Sequence, residues 1–443
     1  MSRARHQRSF TAIGIALGAG VLVVTPVSPL AAAGDLGAEP RPATRGGHWT
    51  EPVELITTSA GYEQQSEWAD VDGAGRQSIV WTAQPRTGSA IRARRSNLDG
   101  TWGPAQTVAR FAFGKIDVRA VTSSHGGVTT IVYSNSFEGL FARQWYPDDT
   151  WSPEHRFGES GTGVVADTGP DGRVALLLRG SRTTFVHTRA GVWRRGMLRS
   201  PVQGDSFDVA FGPRGVPVAV WTGPYTQRVL ASAWIPAKGE WAEPDALGRP
   251  PGAFLVEADS NGTGDIVVAV TAGADGGGAH VLTTARLAGR SWRPLSPIAA
   301  PTNNAALRGV TVADDASTMA GWYGRLDQEA PATLTAALGR GFGRSWSAPQ
   351  TLITQTSTLV FVDGDDAGTA ATGSTYATSS TGPRVAAVFR RAPGADGFDD
   401  EIAVLPAGQD STLLDLDVGP AGDILAVAVG PGGHLWTRSF VTP

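Results

Sequence analysis

The chain has 443 residues and no cysteine, which excludes disulfides, thiolate metal sites, iron–sulfur clusters and lipidation at a cysteine. Its formal net charge is −4, and no basic segment of the kind that binds nucleic acid is present. A chain of this length buries a large core, so its stability does not require crosslinks.

The N-terminus has the three parts of a secretory signal peptide. Three arginines lie within the first eight residues, an apolar stretch covers 11–24, and three alanines at 31–33 form a small-residue cleavage site. We therefore predict a signal peptide over 1–33, a flexible leader over 34–47 and a secreted, extracellular protein with no membrane span after cleavage. The alternative is an uncleaved membrane anchor, although a spanning helix usually needs about 20 apolar residues.

A tryptophan recurs along the rest of the chain, at intervals of 53, 49, 42, 48, 51, 54 and 52 residues when Phe398 is taken as the last member. The positions are Trp49, Trp102, Trp151, Trp193, Trp241, Trp292, Trp346 and Phe398. In most units glycine, aspartate or a short polar turn comes before the aromatic residue and a proline follows it, as in Gly100-Thr101-Trp102-Gly103-Pro104. This pattern indicates a turn that leads into an outer edge strand, where proline is tolerated. The units at Trp193 and Phe398 lack the proline and are degenerate.

A turn followed by an apolar run occurs between the tryptophan units, as in Asp72-Gly73-Ala74-Gly75 before 78–81. Eight such hairpins are present, and we interpret the apolar runs as inner strands covered on both faces by neighbouring blades. Together the two periodic elements predict an all-β fold, a single β-propeller over 48–443 with about eight four-stranded blades. Seven blades is the alternative if the segment 362–405 is not a complete blade.

The two ends of the propeller region complement each other. The last hairpin is followed by one further strand, 434–440, and no tryptophan unit comes after it. The first tryptophan unit, 49–56, comes before any hairpin. We predict that 49–56 pairs as the outer strand of the final blade and closes the ring.

Two turns resemble the Asp-box, or BNR, turn of sialidase-type propellers. They are Ser96-Asn97-Leu98-Asp99-Gly100-Thr101-Trp102 and, less closely, Tyr146-Pro147-Asp148-Asp149-Thr150-Trp151. Over 48–443 the chain also resembles secreted β-propeller repeat proteins of actinobacteria. The resemblance implies the fold, since the Asp-box is itself structural. An active sialidase would also have an Arg-Ile-Pro motif, three substrate-binding arginines, a tyrosine paired with a glutamate, and six blades; the motif is absent from this sequence.

The sequence contains two candidate metal ligands, both in one turn, and indicates no further cofactor. Asp70-Val71-Asp72-Gly73-Ala74-Gly75 resembles the turns of calcium-binding propeller repeats, which makes Asp70 and Asp72 possible calcium ligands. Ordinary Asp-Gly turn chemistry is the alternative explanation. The seven histidines form no His-x-His or His-x-x-x-His pair, so we expect no zinc centre.

Aromatic residues outside the repeat positions are the candidate ligand contacts: Trp68, Trp145 and Trp234. We predict a non-enzymatic, monomeric binding protein that recognises a glycan or an extracellular protein surface on the ring face and between blades. The alternative is a carbohydrate-active enzyme, a sialidase-like hydrolase or lyase with its site in the central funnel, for which no catalytic residue is assigned. Its candidates for a shared pocket are Asp117, Arg119, Glu257, Asp259 and Arg308.

Overall fold

The computed structural model describes most of the region from residue 47 to residue 442. The described residues are 47–56, 67–83, 88–124, 126–158, 163–169, 171–188, 191–199, 202, 207–223, 228–273, 279–288, 290–298, 303–325, 332–354, 356–377 and 382–442. The predicted signal peptide (1–33) and all but the last residue of the predicted leader (34–47) lie outside them. Within these residues no helix is both long enough and apolar enough to cross a bilayer.

The described residues form eight antiparallel sheets of four strands each, counting a split outer strand as one. Two short strands come first, β1 (His48–Trp49) and β2 (Val53–Ile56). Blade 1 contains β3 (Glu67–Val71), β4 (Gln77–Ala83), β5 (Ser89–Arg95) and β6 (Gln106–Phe111). Blade 2 contains β7 (Ile116–Ser123), β8 (Thr129–Asn135), β9 (Gly139–Trp145) and β10 (His155–Arg156).

Blades 3 to 5 follow the same order. Blade 3 contains β11 (Val164–Thr168), β12 (Val174–Leu178), β13 (Thr183–His187) and β14 (Trp193–Met197). Blade 4 contains β15 (Phe207–Gly212), β16 (Val216–Thr222), β17 (Val229–Ile235), β18 (Glu240–Trp241) and β19 (Asp245–Gly248). Blade 5 contains β20 (Leu255–Ser260), β21 (Ile266–Gly273), β22 (Ala279–Arg286) and β23 (Ser296–Pro297).

Blades 6 to 8 complete the ring. Blade 6 contains β24 (Asn303–Val312), β25 (Thr318–Arg325), β26 (Thr333–Arg340), β27 (Ser345–Trp346) and β28 (Gln350–Thr354). Blade 7 contains β29 (Thr356–Gly364), β30 (Ala370–Ala377), β31 (Arg384–Arg391) and β32 (Ile402–Ala403). Blade 8 contains β33 (Thr412–Val418), β34 (Ile424–Val429) and β35 (Leu435–Val441), and two short 3₁₀ turns lie at Pro213–Gly215 and Pro431–Gly433.

This arrangement confirms the prediction of an eight-bladed all-β propeller. Blade 7 has all four strands, so the seven-blade alternative is wrong. Proline interrupts the outer strand after the tryptophan, as predicted: Pro52 separates β1 from β2, and Pro244 separates β18 from β19. Blade 3, whose tryptophan unit lacks the proline, has the uninterrupted outer strand β14.

The strand that lies innermost in each blade is not the one that the apolar runs indicated. The first strands of adjacent blades contact each other around the whole ring, from β3 through to β33 and back to β3, so they line the central channel. The apolar runs are the second strands, such as β4 and β12, in which every residue is buried. They lie one position further out, where adjacent blades cover both of their faces. The innermost strands instead include buried polar residues, as in β3 and β33.

The ring closes as predicted, with the first tryptophan unit as the outer strand of blade 8. His48 and Trp49 of β1 pair with Val441 and Phe440 of β35, and Val53 of β2 pairs with Thr437. The Trp49 and Phe440 rings meet edge to face at 5.6 Å. Non-covalent pairing between the two ends of the propeller region therefore completes the last sheet.

In three blades an arginine of the third strand binds backbone carbonyls of two outer strands, that of its own blade and that of the preceding blade. The guanidinium of Arg438 donates from Nε to Thr50 O (3.0 Å) and from Nη1 to Ala403 O of blade 7 (2.6 Å). The same two bonds recur one blade apart. Arg94 binds Gly103 O and Leu55 O, and Arg143 binds Ser152 O and Val108 O. In each case Nε reaches the residue after the tryptophan, and Nη1 reaches the outer strand of the preceding blade.

We expect Arg438→Lys to weaken the closure, because an ammonium group cannot reproduce a fork that binds two carbonyls in fixed directions. The expected loss in the free energy of unfolding is about 1–3 kcal/mol, measured by urea denaturation. Arg143→Lys is the matched control. Arg143 makes the same two bonds, but all four strands of its blade follow one another in the chain, so the ring closure is not involved. Only Arg438→Lys should also speed proteolytic cleavage near β1 and β2, and equal cleavage rates in the two variants would contradict this.

Candidate functional site

Acidic side chains recur at one position of the innermost strands, two residues before the start of the hairpin turn. Aspartate occupies it in five of the eight blades and threonine in two. In chain order the residues are Asp70, Thr122, Asp167, Ala210, Asp259, Thr311, Asp363 and Asp417. All of them are buried. This shared position was not predicted from the sequence, because single aspartates beside turns are also typical of ordinary turn chemistry.

Three of these carboxylates accept hydrogen bonds from the innermost strand of the next blade. Oδ2 of Asp259 accepts from Val312 N at 2.8 Å, and Oδ2 of Asp363 accepts from Val418 N at 2.7 Å. Oδ2 of Asp417 accepts from Val71 N at 2.5 Å, across the closing seam. The N–H groups concerned lie on the strand edge that has no sheet partner, and burying them unbonded would be costly.

Two more aspartates, each two residues earlier in its strand, also accept a backbone N–H of the next blade. Oδ2 of Asp208 accepts from Ala258 N at 2.8 Å, and Oδ2 of Asp415 accepts from Ala69 N at 2.7 Å. Burial raises the pKa of Asp415 well above its usual range, although the bonds from Ala69 and Leu416 N–H oppose the shift. Burial also raises the pKa of Asp417, and the neighbouring carboxyls of Asp363 and Asp70 add to the effect. Five aspartates of the channel wall therefore bind the backbone of the neighbouring blade.

Three of the candidates for a funnel site make contacts within the fold. Asp117 and Arg119 of β7 form an ion pair at 3.0 Å, and Arg119 Nε also donates to Ser134 Oγ at 2.8 Å. Asp259 binds the backbone of blade 6, as described above. A glycosidase instead needs two carboxylates about 5–10 Å apart that a sugar can reach. Asp363 and Asp417 are too deeply buried for a sugar to reach them.

The structure contains two tyrosine–glutamate pairs, the combination that a sialidase uses as its nucleophile. Tyr133 Oη donates to Glu154, and Tyr376 Oη donates to Glu401 Oε1 at 2.7 Å. Both tyrosines lie on second strands and both glutamates just before outer strands, away from the channel wall. Burial and the adjacent carboxylate raise the pKa of Tyr133, and they raise the pKa of Tyr376 to about 12. These shifts make the hydroxyls poorer nucleophiles, so the pairs connect strands within their blades.

The three tryptophans predicted as ligand contacts are packed between blades. Trp68, Trp145 and Trp234 are 3%, 1% and 3% exposed. The Trp68 indole donates from Nε1 to Val118 O of the next blade. Trp145 lies between the Arg95 guanidinium, 4.1 Å away, and the stacked ring of Trp151, 4.9 Å away. Stacking on a sugar needs an exposed ring face, so this burial argues against ligand contact at all three positions.

The turn that contains the predicted calcium ligands has its oxygens engaged by protein donors. Asp72 Oδ1 accepts from Ala74 N and Arg76 N, and Oδ2 accepts from Arg76 Nε at 2.8 Å. Asp70 is fully buried on β3. Within the described residues no three His, Asp or Glu side chains come together in a way that would hold a metal ion. These contacts favour the turn explanation for Asp72.

The two Asp-box-like turns have the same internal bonds. Asp99 Oδ1 accepts from both N and Oγ1 of Thr101, at 2.9 and 2.6 Å, and Asp148 Oδ1 accepts from N and Oγ1 of Thr150, at 3.1 and 2.6 Å. These bonds lower the pKa of both carboxyls. Each turn joins the third strand of its blade to the outer strand, so the motif has a structural role in the blade.

Two histidines that are distant in sequence meet at one tryptophan in the seam between blades 2 and 3. The Trp193 ring lies 5.9 Å from His155 in a stacked arrangement and 4.9 Å from His187. Burial lowers the pKa of both imidazoles, and for His187 the nearby His155 contributes as well. The spacing of the histidines in sequence gave no indication of this cluster, since it depends on how adjacent blades pack.

The most exposed aromatic side chains lie on one face of the ring. We call the upper face the side that holds the loops joining second to third strands and the loops joining successive blades. Among the described residues the exposed aromatic side chains are Phe113 (81%), Phe137 (78%) and Phe254 (46%), and all three are on upper-face loops. Exposed large apolar side chains grouped on one face are typical of interaction sites.

Phe113 and Phe137 are held in adjacent loops by a buried asparagine. Asn135 Nδ2 donates to Phe113 O at 2.8 Å, and Asn135 Oδ1 accepts from Phe137 N at 2.8 Å. Gly114, with φ +95°, allows the close approach, because a Cβ there would lie 2.8 Å from Cδ2 of Phe137. The pair is therefore presented on a fixed backbone. It was missed in sequence analysis because phenylalanines in loops follow no repeat.

No protein-family model matches the chain, and no curated protein matches it. Solved structures with a similar arrangement of strands include an ulvan lyase (polysaccharide lyase PL25), 11% identical over 70% of this chain and 89% of that chain, with a TM-score of 0.48. Another is the BP39L lectin from Burkholderia pseudomallei, 14% identical over 81% of this chain and 99% of that chain, with a TM-score of 0.46. At these identities the similarity carries no information about ligand or activity.

We expect Trp145→Ala to act on stability. Removing a fully buried indole should lower the free energy of unfolding by about 3–5 kcal/mol, measured by urea denaturation. Trp145→Phe, which keeps part of the ring packing against Arg95 and Trp151, should lose clearly less. An alanine variant with unchanged stability would contradict the packing role.

The histidine cluster predicts a loss of stability at mildly acidic pH. Because the folded pKa values of His155 and His187 are lowered, the unfolded chain binds more protons, and stability falls as the pH decreases below about 6.5. The double variant His155→Phe, His187→Gln should lose less Tm between about pH 7 and pH 5. His48→Gln, at an exposed position, is the control and should follow the unmodified protein.

Proposed function

We propose that this protein is a secreted, non-enzymatic propeller that binds carbohydrate on its upper face. The supporting observation is the fixed, exposed pair Phe113 and Phe137, with Phe254 on the same face. Aromatic rings stack on the apolar faces of sugars and tolerate variation in the sugar. The signal peptide predicted from sequence is the basis for placing the protein outside the cell.

Charged groups beside the pair suit a polar ligand. Lys115 lies in the same loop as Phe113, with 64% of its side chain exposed, and its Nζ lies 3.7 Å from Asp117 Oδ2. Glu138 follows Phe137 and is also exposed. Apolar rings bordered by donors and acceptors of both signs provide stacking and hydrogen bonding together, which carbohydrate recognition requires.

The channel acids support binding over catalysis. Asp259, Asp363 and Asp417 of the innermost strands are buried, and each accepts a backbone N–H of the neighbouring blade. A hydrolase or lyase would need such groups free to reach a substrate. We therefore infer that side chains of the channel wall stabilise the fold and that the upper-face loops bind the ligand.

The test is a glycan array with the purified protein, followed by titration calorimetry on the best ligand. Phe113→Ala and Phe137→Ala should each weaken binding at least tenfold, about 1.4 kcal/mol, without a change in Tm. Leu98→Ala, on the opposite face and 74% exposed, is the matched control and should bind normally. A parallel panel of fluorogenic glycosides should show no turnover.

Three outcomes would contradict the proposal. Turnover of a glycoside would favour the enzyme alternative. Binding that survives both phenylalanine variants would move the site elsewhere. An array with no binding, together with capture of an extracellular protein that depends on Phe113 and Phe137, would make the upper face a protein-binding surface.

A further inference from the structure

Two neighbouring blades have the same arginine motif in the turn that leads to the outer strand. The sequence Arg-x-x-Gly-Arg-Ser-Trp occurs at 286–292 in blade 5 and at 340–346 in blade 6. The corresponding turns of blades 1 to 4 and 7 have no arginine at either position. All these turns lie on the lower face, the side of the ring opposite the upper face.

The two turns are fixed to their blades and to each other. In blade 5 Asp265 Oδ1 accepts from Ala288 N at 2.7 Å, and in blade 6 Phe342 N donates to Ala316 O at 3.0 Å. Arg293, the residue after the blade 5 motif, spans the seam between the blades, and its Nη1 donates to Phe342 O at 3.3 Å. The motifs therefore present their side chains from a fixed backbone.

Five arginines come together on these turns: Arg286, Arg290, Arg293, Arg340 and Arg344. Arg293 Nη1 also donates to Gly341 O at 3.1 Å, and Arg344 packs against the same glycine, since a Cβ on Gly341 would lie 3.6 Å from Arg344 Cβ. The segments 282–297 and 333–350 contain no acidic residue. Burial lowers the pKa of Arg293, the nearby charges of Arg344 and Arg290 lower it further, and Asp265 opposes them.

Two of the five guanidinium groups have no acceptor within the part of the chain that the structure describes. Arg286 Nε donates to Arg290 O at 3.3 Å, and Arg340 forms an ion pair with Asp396. The side chains of Arg290 and Arg344, the second arginine of each motif, are exposed and make no described hydrogen bond or ion pair. Like charges held close together repel one another, and an anionic ligand would relieve that repulsion.

A guanidinium group binds the oxygens of a carboxylate or a sulfate through two parallel N–H donors. We propose that the two turns form a second binding site, for an acidic polysaccharide, in which Arg290 and Arg344 each bind a carboxylate or sulfate group of a different sugar. Two copies of one motif on adjacent blades suit a polymer whose charge recurs along its length. The site lies on the lower face and goes beyond the proposed function, which concerns the upper face.

The rest of the lower face argues against a broad anionic partner such as duplex DNA or a membrane. The equivalent turns of blades 1 and 2 are acidic, with exposed Asp99, Asp148 and Asp149. The whole chain has a net charge of −4. An extended anionic surface would meet these acids as well as the arginines, whereas a single polysaccharide chain can follow the two basic turns alone.

Titration calorimetry with dextran sulfate, polygalacturonate and uncharged dextran tests the site, at about 50 mM NaCl so that screening is weak. The sulfated polymer, the carboxylated polymer or both should bind, and dextran should not. The double variant Arg290→Ser, Arg344→Ser should weaken this binding at least about tenfold, and each single variant at least about threefold. Tm should not change, because neither side chain has a described contact in the fold.

The double variant Arg199→Ser, Lys238→Ser is the matched control. It removes the same amount of positive charge from blades 3 and 4, where Arg199 pairs with Glu243 at 3.5 Å and Lys238 pairs with Glu240 at 3.6 Å. Its affinity for the charged polymers should stay within about twofold of that of the unmodified protein. A loss confined to the motif variant separates binding by Arg290 and Arg344 from attraction by overall charge.

The proposal is overturned if neither charged polymer binds, if dextran binds equally well, or if the control loses as much affinity as the motif variant. Tighter binding of duplex DNA or of phosphatidylglycerol vesicles through the same arginines would also overturn it. Phe113→Ala and Phe137→Ala should bind the charged polymers normally, and the arginine variant should still bind uncharged glycans on the upper face. Failure of this site and failure of the proposed function are therefore distinguishable.

Discussion

The fold depends on satisfying the backbone N–H groups along the free edge of each innermost strand. In a propeller blade the first strand has a partner on one side only, and the other edge faces the channel, buried among neighbouring strands. Here carboxylates from the preceding blade accept those N–H groups, as Asp259 does for Val312 and Asp417 does for Val71. The side chains that join the blades are thus the ones that line the channel, and this explains why so many acids are buried there.

A second set of bonds joins the blades at their outer strands. Arg94, Arg143 and Arg438 each bridge two outer strands through backbone carbonyls. At the channel, aspartate carboxylates accept the free N–H groups of the innermost strands. At the rim, arginine guanidinium groups donate to backbone carbonyls of the outer strands. In a protein without cysteine these contacts, with the tryptophans packed between blades, stabilise the closed ring.

Because the free edges of the innermost strands need hydrogen-bond partners, the residues that stabilise the ring differ from those available to bind a ligand. Polar groups on the channel wall are occupied by the backbone, whereas the upper-face loops present exposed rings whose positions do not affect the joints. Phe113 and Phe137 are exposed in loops, whereas Asp415 and Trp145 are buried between blades. Ligand binding on the loops and stability in the ring are therefore expected to respond to different substitutions.

The sequence alone determined the repeat and predicted the ring closure and about eight blades, because the tryptophan–proline turns and the hairpins are local signals that recur at a nearly fixed period. The four strands of blade 7 in the structure then excluded the seven-blade alternative. It did not reveal which strand is innermost, since a covered apolar run has the same composition at either depth. The meeting of His155 and His187 at Trp193 and the burial of Trp68, Trp145 and Trp234 were decided by tertiary structure. Each depends on how adjacent blades pack against one another. Local sequence patterns do not show which residues some 30 to 50 positions apart come into contact.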